Sequence, residues 1–274
     1  MRFFRKLKWL FGTYLLPRHV ATVKTENGIL SFNSKDRTLG RALNIEREFE
    51  SQMMKRTVKL LTKNGDIKQV KGRVVMDVGG YVGMSSIGFL NFNLFDNAII
   101  FEPNPNSFSL IEKNIKQNNF SDQITAFNVA LSNKNSELLM ELSHKNFGDH
   151  RIRQEGPVQE GHYHEEVRKI ISVDSVTLDD FIKKNPQINF KNISMVWMDI
   201  QGHEGKFLQG ANNFLSSQKI PVVMEFWPYG ILRSGTTKNE FLENLVKLFT
   251  HFYIVDNEFT ELQNILNVEK LFDE

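Results

Sequence analysis

The 274-residue chain carries 34 basic and 32 acidic residues, is 41% hydrophobic and contains no cysteine. That composition supports a full apolar core and excludes a disulfide framework, a cysteine zinc site and a thiol nucleophile. A formal net charge of +2 gives no argument for a nucleic-acid partner, and the lack of cysteine agrees with a reducing, cytoplasmic compartment.

Phe3, Phe4, Leu7, Leu10, Phe11 and Leu15 recur at helical spacing, with Arg2, Arg5, Lys6 and Lys8 between them. The pattern predicts a basic amphipathic helix ending before Pro17. Such a stripe usually packs on the body of the protein or on a second subunit, and its alternative is an anionic membrane surface. Residues 1–16 are therefore the candidate dimer or peripheral membrane contact. The apolar run Trp9–Leu16 is interrupted by Gly12 and Thr13, short of the roughly 20 residues a helical span needs. Lys8 and the lack of a small-residue cleavage site argue against a cleaved signal peptide.

Ala21–Lys24 and Gly28–Phe32 read as a hairpin turning at Asn27-Gly28. Leu39–Leu61 reads as one helix, followed by a turn at Lys63-Asn64-Gly65-Asp66. Residues 1–70 are thus an N-terminal elaboration of helix, hairpin and helix, and 71–274 the main domain.

From Val74 the pattern is strand–helix alternation. The predicted strands are Val74–Val78, Ala98–Phe101, Ile124–Val129, Met195–Ile200 and Val222–Phe226. The predicted helices are Met84–Asn91, Asn106–Asn118, Gly205–Ser216 and Lys238–Phe249. Short apolar strands separated by helices imply a mostly parallel sheet with helices on both faces. Such sheets bind ligands beyond the carboxyl ends of their strands. Phe252–Val255 and Glu261–Ile265 read as a closing antiparallel hairpin.

Ser143–Ile171 interrupts the rhythm. It is polar, carries Gly148, Gly156, Pro157 and Gly161, and reads as a lid or binding loop. It also holds His144, His150, His162 and His164, with Asp149, Glu160, Glu165 and Glu166. His162 and His164 would share a face if extended. Spacing alone fixes no coordination geometry, so no metal site is assigned.

The strand ends carry the chemistry. The first runs Val75-Met76-Asp77-Val78-Gly79-Gly80-Tyr81-Val82-Gly83, where glycines let backbone N–H groups approach a ligand. The dinucleotide fingerprint from Gly79 would need glycine at Tyr81 and Met84, and both fail. No Gly-Lys-Ser/Thr follows either, so a pyrophosphate cradle is not expected. One ribose and an amino-acid tail remain compatible. The second strand ends at Glu102-Pro103, and a carboxylate there suits the two hydroxyls of a ribose. The fourth ends Asp199-Ile200-Gln201-Gly202-His203-Glu204, where three ionisable groups follow an uncharged strand. The competing reading is that Asp199 caps the next helix and Glu204 favours its positive end. Glu225 ends the fifth strand at the same rim.

The ordered set Asp77–Gly83, Phe101–Pro105, Asn128–Ser132, Ser175–Phe181, Met198–Glu204, Leu208–Ala211 and Pro221–Glu225 resembles the FkbM family of methyltransferases, over roughly Lys71–Trp227. The resemblance implies a class I methyltransferase (Rossmann-like) α/β sheet and S-adenosylmethionine as cofactor. It implies that Asp77, Gly79, Gly80, Tyr81 and Gly83 line the methionine side. Glu102 with Pro103 would hold the ribose, and Asn128, Val129 and Ala130 would flank the adenine. Asp199 would lie near the methyl group or the methionine amine. Tyr81 stands where the family usually has Asn. The implied reaction is methyl transfer to oxygen on a small-molecule, sugar, glycan or natural-product acceptor. Asp199, His203 and Glu204 are its catalytic candidates, with Asp199 or His203 as base. The alternative is a cofactor-binding or interaction module without catalysis.

Overall fold

Alternating apolar side chains from Val74 onward build a parallel sheet buried on both faces. The computed structural model describes residues 2–68, 71–154, 161–255 and 261–272. In chain order, β3 (Val74–Val78), β4 (Asn97–Phe101), β5 (Ile124–Phe127), β10 (Ile193–Met198) and β11 (Val222–Met224) form one sheet of order β11-β10-β3-β4-β5. All four pairings are parallel. Val75, Ala98, Ile100, Met195 and Trp197 enter one core, and Val74, Met76, Val78, Ile99, Phe101, Val196 and Met198 the other. This is the period-two alternation of a strand covered on both sides. The helices α4 (Met84–Asn91) and α5 (Pro105–Gln117) cover the first face. The helices α6 (Leu178–Lys184), α7 (Glu204–Gly210), α8 (Asn212–Gln218) and α10 (Lys238–Leu248) cover the second. The chain runs outward from β3 to β5, then returns to β10 on the other side of β3. The topological switch therefore falls between β3 and β10, which marks where a ligand binds.

The N-terminal residues attach to the first face. Helix α1 (Arg2–Leu10) continues as a π turn over Phe11–Leu15. The hairpin β1 (Val20–Lys24) and β2 (Ile29–Asn33) forms at the expected Asn-Gly turn. Asn114 of α5 exchanges hydrogen bonds with the backbone of Ser31, and Leu30 and Phe32 join the core of β3 and α4.

The single helix expected over Leu39–Leu61 is two, α2 (Leu39–Ile45) and α3 (Ser51–Lys63). Arg47 and Glu50 between them adopt left-handed conformations, φ 67° and 52°. The cause is tertiary: the Asn27 side-chain amide exchanges hydrogen bonds with the backbone of Phe49, at 3.0 and 3.1 Å. The helix expected over Gly205–Ser216 likewise divides into α7 and α8. Asp179 supplies the new start by accepting from Asn213 N and Phe214 N.

The interruption at Ser143–Ile171 is the largest departure. A second sheet, order β6-β9-β7-β8, is built from β6 (Ala130–Leu131), β7 (Ser136–Leu142), β8 (Arg151–Ile152) and β9 (Lys169–Val176). The expected strand Ile124–Val129 stops at Phe127, because the chain crosses to this sheet, where β6 pairs with β9 in parallel. Glu165–Val167 is a 3₁₀ turn, and His164 before it is left-handed, so His162 and His164 do not lie on an extended strand. Gly156, Pro157 and Glu160 lie outside the described residues. After the short helix α9 (Pro228–Arg233) and α10, the C-terminal hairpin exists but is brief. The strands β12 (His251–Phe252) and β13 (Gln263–Asn264) pair only with each other and do not extend the central sheet. Among the described residues, no helix is long and apolar enough to cross a membrane.

Candidate active site

At the switch point the ends of β3 and β10 almost touch. A Cβ on Gly79 would lie 2.0 Å from the Asp199 carbonyl oxygen, and Gly79 has φ +90°. Glycine is therefore required there by the neighbouring strand before any ligand is considered. Gly79 N and Gly80 N donate to Phe101 O at 2.9 and 3.2 Å, tying the turn to β4. Gly83 starts α4 with φ 78°.

A cleft opens beyond these strand ends. Gly79, Tyr81, Glu102, Pro103, Val129, Ala130, Asp199 and His203 lie on its wall, from four separate strand ends. Asp77, Gly80, Gly83, Asn128 and Glu204 do not line it. The Asp77 carboxylate accepts from Ser86 Oγ at 2.6 Å and so fixes the first turn of α4. Burial pushes it up to about 6, against the Ser86 hydrogen bonds. The Asn128 amide donates to the carbonyls of Glu102 and Pro103, holding the end of β4 in place. Asp199 is not the cap of α7; His203 holds that position, and its side chain makes no capping hydrogen bond.

Glu102 is held by the backbone on both sides. Its two oxygens accept from Tyr81 N and Asn104 N, each at 2.8 Å, which orients the carboxylate and leaves lone pairs for hydroxyl donors. Burial raises its pKa to about 8 against those two hydrogen bonds. Tyr81 is left-handed, φ 48°, and its hydroxyl donates to Asp36 at 2.5 Å. Asp36 also accepts from Thr38 N and Leu39 N at the start of α2. The tyrosine thus ties the N-terminal elaboration to the glycine turn. Asp36 was not singled out from the sequence; its hydrogen bonds to the amides two and three residues on form an Asx-type turn, a weak local signal.

The rim at β10 and β11 is acidic. Gln201 Nε2 donates to Asp199 Oδ1 at 2.5 Å and to Glu225 Oε2 at 3.1 Å, bridging the ends of adjacent strands. Removal from water, then the charges of Asp199 and Asp149, raise Glu225 to about 7. Glu50, from the break between α2 and α3, is raised to about 7 by burial and by Asp199 and Glu225. Asp199 is itself raised by burial, opposed by Gln201.

His203 is buried, and burial lowers it to about 4, with Lys206 adding to the shift. Its Nε2 lies 2.9 Å from Ser132 Oγ, and its Nδ1 has no partner. Behind it, Glu204 Oε1 accepts from Ile200 N at 3.2 Å, Oε2 has no partner, and burial raises the group to about 8.

The second sheet supplies the far wall through Met140, Phe147, His150 and Ile152. Burial lowers His150 to about 4, and its Nδ1 accepts from Ser143 N at 3.0 Å. A neutral ring bonded in that way carries its proton on Nε2 and offers a donor. The other loop histidines, His144, His162 and His164, are exposed. Among the described residues, no group of three or more His, Cys, Asp or Glu side chains is arranged to hold a metal ion.

A doubly wound sheet with a glycine turn, a ribose-type acid on the next strand and an acidic rim across the switch point defines a class I methyltransferase architecture. The sequence profile of the methyltransferase FkbM domain matches residues 77–259. The chain belongs to this family, whose cofactor is S-adenosylmethionine. Among solved structures, a methyltransferase FkbM from Methylobacillus flagellatus is 15% identical with TM-score 0.43. The match covers 82% of this chain and 52% of that one, so the chain spans about half the length of that protein. Precorrin-6y C5,15-methyltransferase from Geobacter metallireducens is 12% identical with TM-score 0.40, over 78% of this chain and 83% of that one. No curated protein matches significantly.

The residues fit the cofactor. Glu102 keeps acceptor capacity for two ribose hydroxyls. The Asp199 carboxyl on the cavity wall would suit the ammonium or the sulfonium. His203 Nδ1 is a buried polar atom on the cavity wall that a ligand can satisfy.

Proposed function

We propose that the chain transfers methyl to a hydroxyl oxygen on a sugar, glycan or natural-product acceptor. The observation that carries this reading is the Asp199–Gln201–Glu225 bridge at the switch point. S-adenosylmethionine supplies a methyl group on a positively charged sulfur whose thioether product needs no proton. The protein must therefore align the two partners and remove a hydroxyl proton. In this reading Glu102 holds the ribose and Asp199 the amine end of the methionine. Glu225, at about 7, takes the acceptor proton, since a base works best with a pKa near the operating pH. His203 is too weakly basic at about 4 for that task, and its Nε2 already meets Ser132, so it positions the ligand.

The test is transfer of labelled methyl to a panel of hydroxyl acceptors. Glu225→Gln is expected to lower kcat by about 100-fold and to leave cofactor affinity within a few-fold. In the parent enzyme kcat/KM rises with pH through about 7, the value of Glu225 in the free protein, and the variant loses that limb. Full turnover in Glu225→Gln removes the base. Cofactor binding without transfer to any hydroxyl favours a non-catalytic module.

A further inference from the structure

The helix α1 and its π turn lie outside the family match and play no part in the cavity. Their orientation is inverted relative to an ordinary amphipathic helix. Trp9 and Thr13, four residues apart, are buried against the body. Phe3, Phe4, Leu7, Phe11 and Leu15 share the opposite face and are 48–74% exposed. Leu16 and Val20 continue the exposed apolar surface.

The body holds the helix in this orientation. Lys35 Nζ donates to Thr13 O and Leu16 O, both at 2.6 Å, and Arg2 pairs with Glu46 at 2.7 Å. The Arg37 guanidinium sits 5.0 Å from the centre of the Tyr14 ring. The outward stripe is thus a fixed feature of the fold.

Charge decides what the stripe meets. Six of the 34 basic residues and none of the 32 acidic ones fall between Arg2 and Lys24. Lys6 and Lys8 are exposed on either side of the stripe. A second copy of the same face would bring like charges together across a two-fold axis, which is unfavourable. An anionic lipid surface takes both the basic flanks and the aromatic stripe. We propose that residues 2–20 dock the protein on anionic membranes, with Phe3, Phe4, Leu7, Phe11 and Leu15 inserted at the headgroup level. The inference is independent of the acceptor and of the base assigned above.

The test is sedimentation of the full chain with phosphatidylcholine–phosphatidylglycerol vesicles and with pure phosphatidylcholine vesicles. Binding is expected to the anionic vesicles, weakening as salt is raised. Phe4→Glu with Phe11→Glu abolishes it, and Lys6→Glu with Lys8→Glu lowers it by about tenfold or more. All four side chains are exposed, so the thermal melt of each variant should match the parent. Three results would overturn the proposal. One is a parent chain that stays in the supernatant with both vesicles. Another is parent-like binding by the phenylalanine variant. The third is self-association of the parent in the ultracentrifuge, lost in the phenylalanine variant, without vesicle binding, which assigns the face to a second copy.

Discussion

The cavity is walled by two regions held together in different ways. The rim of the parallel sheet stands on strands whose two faces bury apolar side chains throughout. The second, mixed sheet, a wing beside the first, has only a small apolar cluster, Leu138, Met140 and Val173. Its interior is ionic: Arg151 pairs with Asp149 at 2.5 Å and Glu165 at 2.7 Å, and Arg168 with Asp149 at 2.7 Å. Arg151 also stacks 4.4 Å from the Trp227 ring centre, joining the wing to the residues after β11. In the rim, Glu102 and Asp199 line the open cavity, where the proposed reading has them meet a ligand. In the wing, charge is matched internally and the local structure depends on every partner. Substitutions of charged residues should therefore report as binding defects in the first region and as folding defects in the second.

The largest expected effect is in the wing. Arg151→Met leaves Asp149 and the fully buried Glu165 short of a partner, which should cost about 3–5 kcal/mol. Denaturant unfolding measures it, and a loss below about 1 kcal/mol would show that the network is not what holds the wing. Next is Asp199→Ala in the rim. Calorimetry should show about 100-fold weaker cofactor binding, equivalent to about 2.7 kcal/mol, with stability unchanged or higher because Glu225 and Glu50 lose a like charge. A stability loss with intact affinity would reverse the contrast between the regions. Glu102→Gln keeps the shape and one acceptor oxygen, so about a tenfold loss of affinity is expected, about 1.4 kcal/mol.

The same contrast explains what could be read from the sequence. Val74–Val78, Asn97–Phe101 and Ile193–Met198 declare themselves because apolar runs of this length between helices have few other uses. Glu102 and Asp199 follow, since a charge that ends such a strand must face the strand-end crevice. The wing was legible only in part. Leu138, Met140 and Leu142 alternate in β7, and Ile171 and Val173 in β9, so the period-two signal was present. The burial of Arg151, Arg168 and Glu165 has no local signature, because it is completed by pairs distant in the chain, Arg151 with Glu165 and Arg168 with Asp149. The same holds for Asn27, whose amide breaks the helix expected over Leu39–Leu61.

The smallest effect tests the rim from behind. Glu204 is buried beneath His203, one of its carboxylate oxygens has no partner, and burial raises it from 4.5 to about 8. A raised carboxylate binds a proton in the folded state that the unfolded chain has already released between these two values. Stability therefore falls as pH rises from about 4.5 to about 8, because more protons are bound in the folded state than in the unfolded one. Glu204→Gln removes that contribution. The variant should melt at a higher temperature than the parent at pH 8, and the difference should shrink as the pH is lowered toward 5. Asp199 adds to the raising of Glu204, so in Asp199→Ala the advantage of the glutamine should be smaller. Scanning calorimetry of the single and double variants at both pH values measures the coupling. A Glu204→Gln melt that follows the parent at every pH would mean that the carboxylate is solvated. Glu204 would then belong to the open rim with Asp199 and Glu225, and the boundary between ligand-facing charge and buried support would lie one turn deeper in α7.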